Sequence, residues 1–262
     1  MVFLLVWLDW WASKKDNVQC RISEDEKFKI SDLRELKSLA YWLVSISCIF
    51  GYMGFDGYCL FSADMLETRF GMGEKASFLY SMPSFVSIFL SPLVGHLVDK
   101  FGCRVRFLVF SLVSVYLATV TTTLIPAADN PDDPQWLTLI PLFLLGVGYC
   151  IYVTVLWSCI PYVVPKKLLA TGYGLTDCLC NLGGVFNPYV SSWMLTTQRQ
   201  GGYFWLMMYL GAVTLIGLGL TIWLLVDDFK NRGGVLDAVH NEDEEEEDEK
   251  DSIAVYEAQP DS

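Results

Sequence analysis

The sequence Trp136-LTLIPLFLLGVGYCIYVTVLWSCIPYV-Val164 decides the fold class, because it contains no charged residue over its whole length. A helix needs about 20 mainly apolar residues to cross the roughly 30 Å hydrocarbon core of a bilayer, since it rises 1.5 Å per residue. This stretch exceeds that length and therefore predicts a transmembrane α-helix.

Five further segments are long and apolar enough to cross a bilayer. They are Ser38–Phe61, Ala76–Val98, Phe107–Ile125, Leu168–Leu195 and Tyr203–Val226. The weakest is Leu168–Leu195, which is rich in glycine and is interrupted by an aspartate, two asparagines and a proline. The pattern predicts an all-α polytopic membrane protein with a bundle of six transmembrane helices.

The distribution of Lys and Arg indicates whether the weak segment also crosses. If all six segments span the membrane, fifteen of the eighteen basic residues fall on one side, and Arg69, Lys75 and Arg199 fall on the other. Basic residues concentrate in cytoplasmic loops. The alternation therefore predicts six crossings, with both chain termini in the cytoplasm.

The net charge of −12 belongs to one tail. Residues 237–262 contain twelve acidic residues and one basic residue, whereas the rest of the chain is close to neutral. A block of like charges with few apolar residues is typical of disorder. We therefore divide the chain into residues 1–37, a six-helix transmembrane bundle over residues 38–226, and an acidic, disordered cytoplasmic tail over residues 227–262.

The first twelve residues are apolar and aromatic but too short to span a bilayer, and a charged linker follows them. We interpret Met1–Ala12 as the last turns of a preceding transmembrane helix, with its tryptophans at the interface. The chain is then the C-terminal part of a longer protein. An anchor helix that lies in the interface is the alternative.

The cysteines and histidines predict neither a disulfide framework nor a metal site. Six of the eight cysteines lie inside apolar segments, where a free cysteine behaves as a small hydrophobic residue. The pair Cys178-x-Cys180 lacks the spacing of a zinc site, and neither histidine lies near it. With no plausible Ser/His/Asp set and no phosphate-binding glycine loop, we expect no enzyme, no cofactor and no nucleic-acid partner.

The loop between the second and third segments reads Gly95-HLV-Asp99-Lys100-F-Gly102-C-Arg104-V-Arg106. Gly102 permits the positive φ of a tight turn. Asp99 can pair with Arg104 or face the positive N-terminus of another helix. Contacts of this kind can be made and broken as helices rock, which predicts a conformational latch. The alternative is that a short cytoplasmic loop needs glycine and basic residues for turning and for topology.

This loop resembles the signature of the major facilitator superfamily, in which a glycine is followed four residues later by an acidic and a basic residue, then by another glycine and further basic residues. Five of its positions are filled here, by Gly95, Asp99, Lys100, Gly102 and Arg104. Cys103 stands where a basic residue is often found. The resemblance implies one six-helix half, the C-terminal one, of a twelve-helix fold.

Other stretches resemble one branch of that superfamily, the lysosomal dipeptide transporters. They are Ser91-Pro92, Val163-Val164-Pro165, Asn181-Leu182-Gly183 and Asn231-Arg232 with the glycine pair that follows it. The resemblance implies export of dipeptides from the lysosome and a glycosylated accessory subunit as a partner. Because one bundle is present, the other expected partner is an N-terminal six-helix half that is missing from this chain, or a second copy.

The weak segment supplies candidate substrate-binding residues. Polar or small residues recur along it at spacings of three or four and so share one face, and they include Asp177 and Asn181. Ionisable groups inside a span usually face the bundle interior or a wet cavity. We predict a substrate path in which, following the resemblance, Asp177 attracts an ammonium group and Asn181 bonds a peptide or carboxylate group. Close helix packing through small residues is the alternative.

Three aromatic residues complete the predicted site: Tyr52, Tyr152 and Trp157. Rings with a polar edge suit amphipathic substrates, although an interfacial aromatic belt also explains Trp157. Tyr52 shares a face with Asp56, which we expect to reach water near the outer end. Glycines at positions 51, 54 and 57 are predicted to loosen this helix.

The function predicted from these features is alternating-access transport of small solutes across a lipid bilayer. Dipeptides or similar small amphipathic molecules are the expected substrates, and the lysosomal membrane is the expected location, both on the strength of the resemblance. The alternative is a non-transporting membrane scaffold or sensor that binds partners through its acidic tail.

Overall fold

The computed structural model describes residues 38–128, 135–197 and 202–237, and the long elements in these ranges are all α-helices. There are six: α1 Leu39–Thr68, α2 Met82–Phe101, α3 Arg104–Leu124, α4 Leu139–Val163, α5 Leu169–Thr197 and α6 Gly202–Asn231. Short helical turns precede three of them, at Gly73–Lys75 and Ala76–Leu79 before α2, Trp136–Thr138 before α4 and Lys166–Leu168 before α5. The predicted all-α class is confirmed.

Five of the six helices are long and apolar enough to cross a membrane by length and composition. These are α1, α3 and α6, together with α2 and α4 when the short turns that precede these two are included. Helix α5 is not among them, because its 29 residues include four glycines, four threonines, two asparagines and an aspartate. The predicted Met1–Ala12 segment and the acidic residues beyond Asp237 lie outside the described residues.

Helix α5 runs parallel to α1 along most of its length. The paired residues, in order along both helices, are Tyr41 with Gly172, Ser45 with Thr176, Cys48 with Cys180, and Met53 with Asn187. From position 172 to 187 an α-helix rises roughly 22 Å. Because α5 stays in register with α1 over that distance, it reaches the same membrane depth, which supports the predicted sixth crossing.

The helix ends gather at two opposite ends of the bundle. At one end the guanidinium of Arg232, just after α6, donates to Ser38 before α1, and that of Arg104 in α3 lies 4.4 Å from the ring centroid of Tyr162 in α4. At the other end Arg69 donates to the carbonyl of Ile125 at 3.1 Å, joining the ends of α1 and α3.

The first of these ends carries most of the positive charge, and we call it the basic end. Its described basic residues are Lys100, Arg104, Arg106, Lys166, Lys167, Lys230 and Arg232, whereas the opposite end has Arg69 and Lys75 in the described ranges. This asymmetry is the one that the charge alternation in the sequence predicts for six crossings.

The glycines of α1 allow other helices to approach it closely. A Cβ atom on Gly51 would lie 2.3 Å from the hydroxyl oxygen of Tyr152 in α4. On Gly54 it would lie 2.3 Å from Oγ1 of Thr214 in α6, and on Gly57 it would lie 2.5 Å from Nδ2 of Asn187 in α5. Helix α1 is continuous from Leu39 to Thr68, so the structure shows no break at these glycines. Their observed role is close packing.

Two of the cysteines treated as small hydrophobic residues are bonded to each other. Cys48 in α1 and Cys180 in α5 form a disulfide, with their Cα atoms 6.0 Å apart. This separation lies within the usual range for disulfides. The sequence did not reveal the pair, because it is the parallel packing of α1 against α5 that brings together residues 132 positions apart.

Candidate functional site

A hydrogen bond between α1 and α4 lies at the centre of the predicted site. The indole Nε1 of Trp157 donates to the hydroxyl oxygen of Tyr52 at 3.2 Å. Both side chains are half-buried, so each presents part of its ring to the surface of the bundle. The structure therefore brings together two of the predicted substrate-binding residues.

More rings extend this surface in both directions. Tyr149 lies edge-on to Tyr52 with centroids 6.5 Å apart, and it stacks on Phe55. On the other side Tyr173 of α5 stacks on Trp157 at 6.0 Å and donates its hydroxyl to the carbonyl of that residue at 3.0 Å. We call these five residues the aromatic wall.

Tyr152 lies behind the aromatic wall rather than on it. Its side chain is 3% exposed, and its hydroxyl donates to the carbonyl of Ser47 at 2.9 Å. Its ring contacts that of Tyr52 edge-on, with centroids 5.9 Å apart. Of the residues predicted to bind substrate, Tyr152 is thus the one that positions another, because it supports Tyr52 from within the core.

Asp177 and Asn181 are both exposed on α5, beside the aromatic wall. The Asn181 side-chain amide donates to the backbone carbonyl of Asp177 at 2.8 Å, which leaves its Oδ1 as an acceptor. Asp56 is also exposed and lies one helical turn after Tyr52 on α1. An acidic, aromatic and amide-bearing surface thus extends across α1, α4 and α5.

A second polar stripe on α5 was not singled out from the sequence. Thr176, Asn187 and Ser191 are each at most 2% exposed. Asn187 donates its side-chain amide to the carbonyl of Met53 at 2.8 Å, and Thr176 bonds Ser45 at 2.9 Å. These residues hold α5 against α1, and the predicted stripe with Asp177 and Asn181 lies on a neighbouring, exposed face of the helix.

The predicted latch residues lie at the end of α2, in the turn that follows it and at the start of α3. Gly102 has a φ of +63° and ends α2, as the sequence predicts for a tight turn. Asp99 and Lys100 are exposed, whereas Arg104 is buried, with its guanidinium over the ring of Tyr162. At Gly95, an added Cβ atom would meet no atom of the described residues within 4 Å.

The bundle also exposes a large apolar surface on α2 and the turns before it. A groove of about 540 Å³ lies between α2 and α4, lined by aromatic and aliphatic side chains that include Phe85, Phe89 and Phe143. Phe89 is 81% exposed.

Among the residues that the structure describes, no group of three or more His, Cys, Asp or Glu side chains is placed to hold a metal ion.

The six-helix bundle, the loop between α2 and α3 with its two glycines, and the concentration of positive charge at the basic end are all features of a membrane transport family. The family model of the Major Facilitator Superfamily matches residues 1–188 of this chain. The chain therefore belongs to the major facilitator superfamily. Family membership agrees with the prediction that the chain is not an enzyme.

Within the superfamily, the chain is similar to the lysosomal dipeptide transporter MFSD1 of several vertebrates. It is 26% identical to the Danio rerio protein over 211 residues and 27% identical to the Homo sapiens protein over 213 residues, covering 80% of this chain and 43% of each relative. It is 29% identical to a D-galactonate transporter of Escherichia coli over 164 residues, or 61% of this chain and 36% of that protein. The chain spans less than half the length of these relatives.

Proposed function

We propose that this chain is the C-terminal half of a secondary transporter that moves small solutes by alternating access, and that dipeptides or similar small amphipathic molecules are its substrates. The observation that carries this proposal is the continuous surface formed by the aromatic wall with Asp177 and Asn181. The names of the vertebrate relatives support dipeptides as the substrate class.

The chemistry of the surface fits one end of a dipeptide better than the other. Asp177 and Asp56 attract an ammonium group, and the rings of Tyr52 and Trp157 attract a cation through their faces. The Oδ1 atom of Asn181 accepts a hydrogen bond from a peptide N–H. Among the described residues the basic side chains lie at the ends of the bundle. The substrate carboxylate is therefore expected to bind outside this half.

A second six-helix unit completes the proposed transporter. The exposed faces of α2 and α5, where Phe89 is 81% and Tyr189 is 75% exposed, provide a large apolar surface beside the candidate site. Alternating access needs two bundles that rock around a site between them. The partner is the N-terminal half of a longer protein or a second copy of this chain. A glycosylated accessory subunit belongs to the same proposal.

The orientation follows from the charge of the basic end. Basic residues concentrate on the cytoplasmic side of membrane proteins, so α1, α3 and α5 begin at the cytoplasmic face and both termini lie in the cytoplasm. The lysosomal membrane is the proposed location, on the strength of the same relatives.

The experiment is uptake of a radiolabelled dipeptide by cells that express this chain alone or together with a candidate N-terminal six-helix half. Asp177→Asn and Asn181→Ala are expected to reduce uptake at least tenfold, without changing the amount of protein in the membrane. Glu67→Gln is the matched control, because it also removes an exposed carboxylate, but at the C-terminal end of α1, away from Asp177 and Asn181. Full uptake by both site variants contradicts the proposed substrate-binding roles of Asp177 and Asn181. No uptake, either by the chain alone or with the N-terminal half, favours a scaffold or sensor.

A further inference from the structure

The chain turns back onto the bundle after α6. The backbone N–H groups of Arg232 and Gly234 both donate to the carbonyl of Asp228, at 3.1 and 3.0 Å, and Gly233 and Gly234 have positive φ values. Leu236 is completely buried, and its N–H donates to the Asp228 carboxylate at 3.3 Å. The segment 232–237 is therefore part of the folded bundle, and we call it the clasp.

The last residue of the clasp caps α3. The Asp237 carboxylate accepts a hydrogen bond from the N–H of Val105 at 2.8 Å, and its carbonyl accepts one from the N–H of Cys103 at 3.0 Å. The first N–H groups of a helix have no partner within the helix and need one from outside. Cys103, which precedes α3 directly, forms no side-chain cap. An aspartate from the other end of the sequence takes that role.

Charge strengthens the same contact. Arg106 Nε lies 3.1 Å from Asp237 Oδ2, and the side chain of this aspartate is 7% exposed. A carboxylate at a helix N-terminus is also stabilised by the positive end of the helix dipole. Arg106 packs its guanidinium 5.3 Å from the ring centroid of Phe229 in α6. The clasp thus joins the end of α6 to the start of α3.

The cap also fixes the turn that contains the predicted latch residues. Gly102 and Cys103 have φ values of +63° and +50°, and the second is unusual for a residue with a side chain. The hydrogen bond from the Cys103 N–H to Asp237 holds this conformation. The acidic run of the tail begins at Glu242, separated from the clasp by four residues in the sequence.

We propose that the clasp is a conformational device that holds the α2–α3 loop in its left-handed turn, and that release of Asp237 uncaps α3 and frees the loop. Asp237 is the residue of the clasp that contacts the start of α3 and the turn before it. The proposal depends on the contacts of Asp237 and not on the identity of the substrate.

The test is the rate at which a membrane-impermeant maleimide modifies Cys103 in the full chain, measured by mass spectrometry of its peptide. Cys103 is half-buried and free in the structure. Asp237→Ala is expected to raise the rate about fivefold, the effect of losing a typical N-cap. Asp237→Asn keeps a capping oxygen and is expected to stay within about twofold of wild type. Asp243→Asn is the control for a lost charge in the tail. Equal rates in all three variants would overturn the proposal.

A second measurement needs no variant and so does not depend on how well Asp237→Ala folds. Amides in the first turn of a helix normally exchange quickly with solvent, because they lack partners within the helix. The amides of Cys103 and Val105 are expected to exchange at least tenfold more slowly than that of Arg106 in the same turn. Fast exchange at both protected positions would overturn the proposal, whatever the transport activity.

Discussion

Gly51 tests the packing of α1 against α4 at the back of the candidate site. In Gly51→Ala the new Cβ atom would lie 2.3 Å from both Cζ and the hydroxyl oxygen of Tyr152, whose ring is buried. Overpacking costs about 1–3 kcal/mol, and losing the bond to Ser47 leaves a buried hydroxyl unsatisfied at about 1–3 kcal/mol. The better helix propensity of alanine offsets about 1 kcal/mol, so the net loss of stability is about 3 kcal/mol.

This loss is measured as thermal unfolding of the purified chain in detergent. A loss of this size lowers the midpoint by roughly 6–12 °C for a chain of this length. Gly219→Ala is the matched control on α6, because its added Cβ atom meets nothing within 4 Å and is expected to leave the midpoint unchanged or slightly raised. In a Tyr152→Leu background the effect of Gly51→Ala is expected to fall below about 1 kcal/mol. Identical midpoints for Gly51→Ala and Gly219→Ala would refute the packing argument.

Two further substitutions test the buried polar contacts of α1. Asn187→Ala removes the bond to the Met53 carbonyl and leaves a void in the core, so it is expected to cost about 2–3 kcal/mol in the same unfolding assay; an unchanged midpoint contradicts this role. Tyr58→Phe removes a 2.6 Å bond to Thr122, whose hydroxyl still has the Ala118 carbonyl as a partner at 2.8 Å. Its expected cost is therefore only about 1 kcal/mol, and a loss as large as that of Asn187→Ala would show that the remaining partner does not compensate.

Much of the fold could be predicted because the bilayer imposes a length and an apolar composition on every span. Helix α5, which has the weakest apolar composition, was predicted as a sixth segment with support from the alternation of basic residues. Its neighbour α1 explains why it tolerates polar residues, since Thr176 and Asn187 are paired with α1. Helix ends were less predictable. Helix α6 continues past its predicted end at Val226, because the clasp buries Asp228 and donates hydrogen bonds to it.

The candidate site could be predicted in part. Spacing along α5 showed that Asp177 and Asn181 share a face, but it cannot show which of two polar faces meets a neighbouring helix. Trp157 was predicted from its chemistry, whereas the stacking of Tyr173 on it depends on the arrangement of α4 and α5. The cap that Asp237 supplies to α3 could not be predicted, because Asp237 lies far from α3 in the sequence.

The central claim is that the face of α5 bearing Asp177 and Asn181 borders a water-filled substrate path. The most direct test compares Asn181→Cys with Leu182→Cys in a Cys178→Ser background, by reaction with a charged methanethiosulfonate in intact membranes. Both positions are exposed in the structure and differ by about 100° around the helix. We predict that Asn181→Cys reacts, that a dipeptide slows this reaction, and that Leu182→Cys does not react. No reaction at position 181, or equal reaction at both positions, would contradict the account.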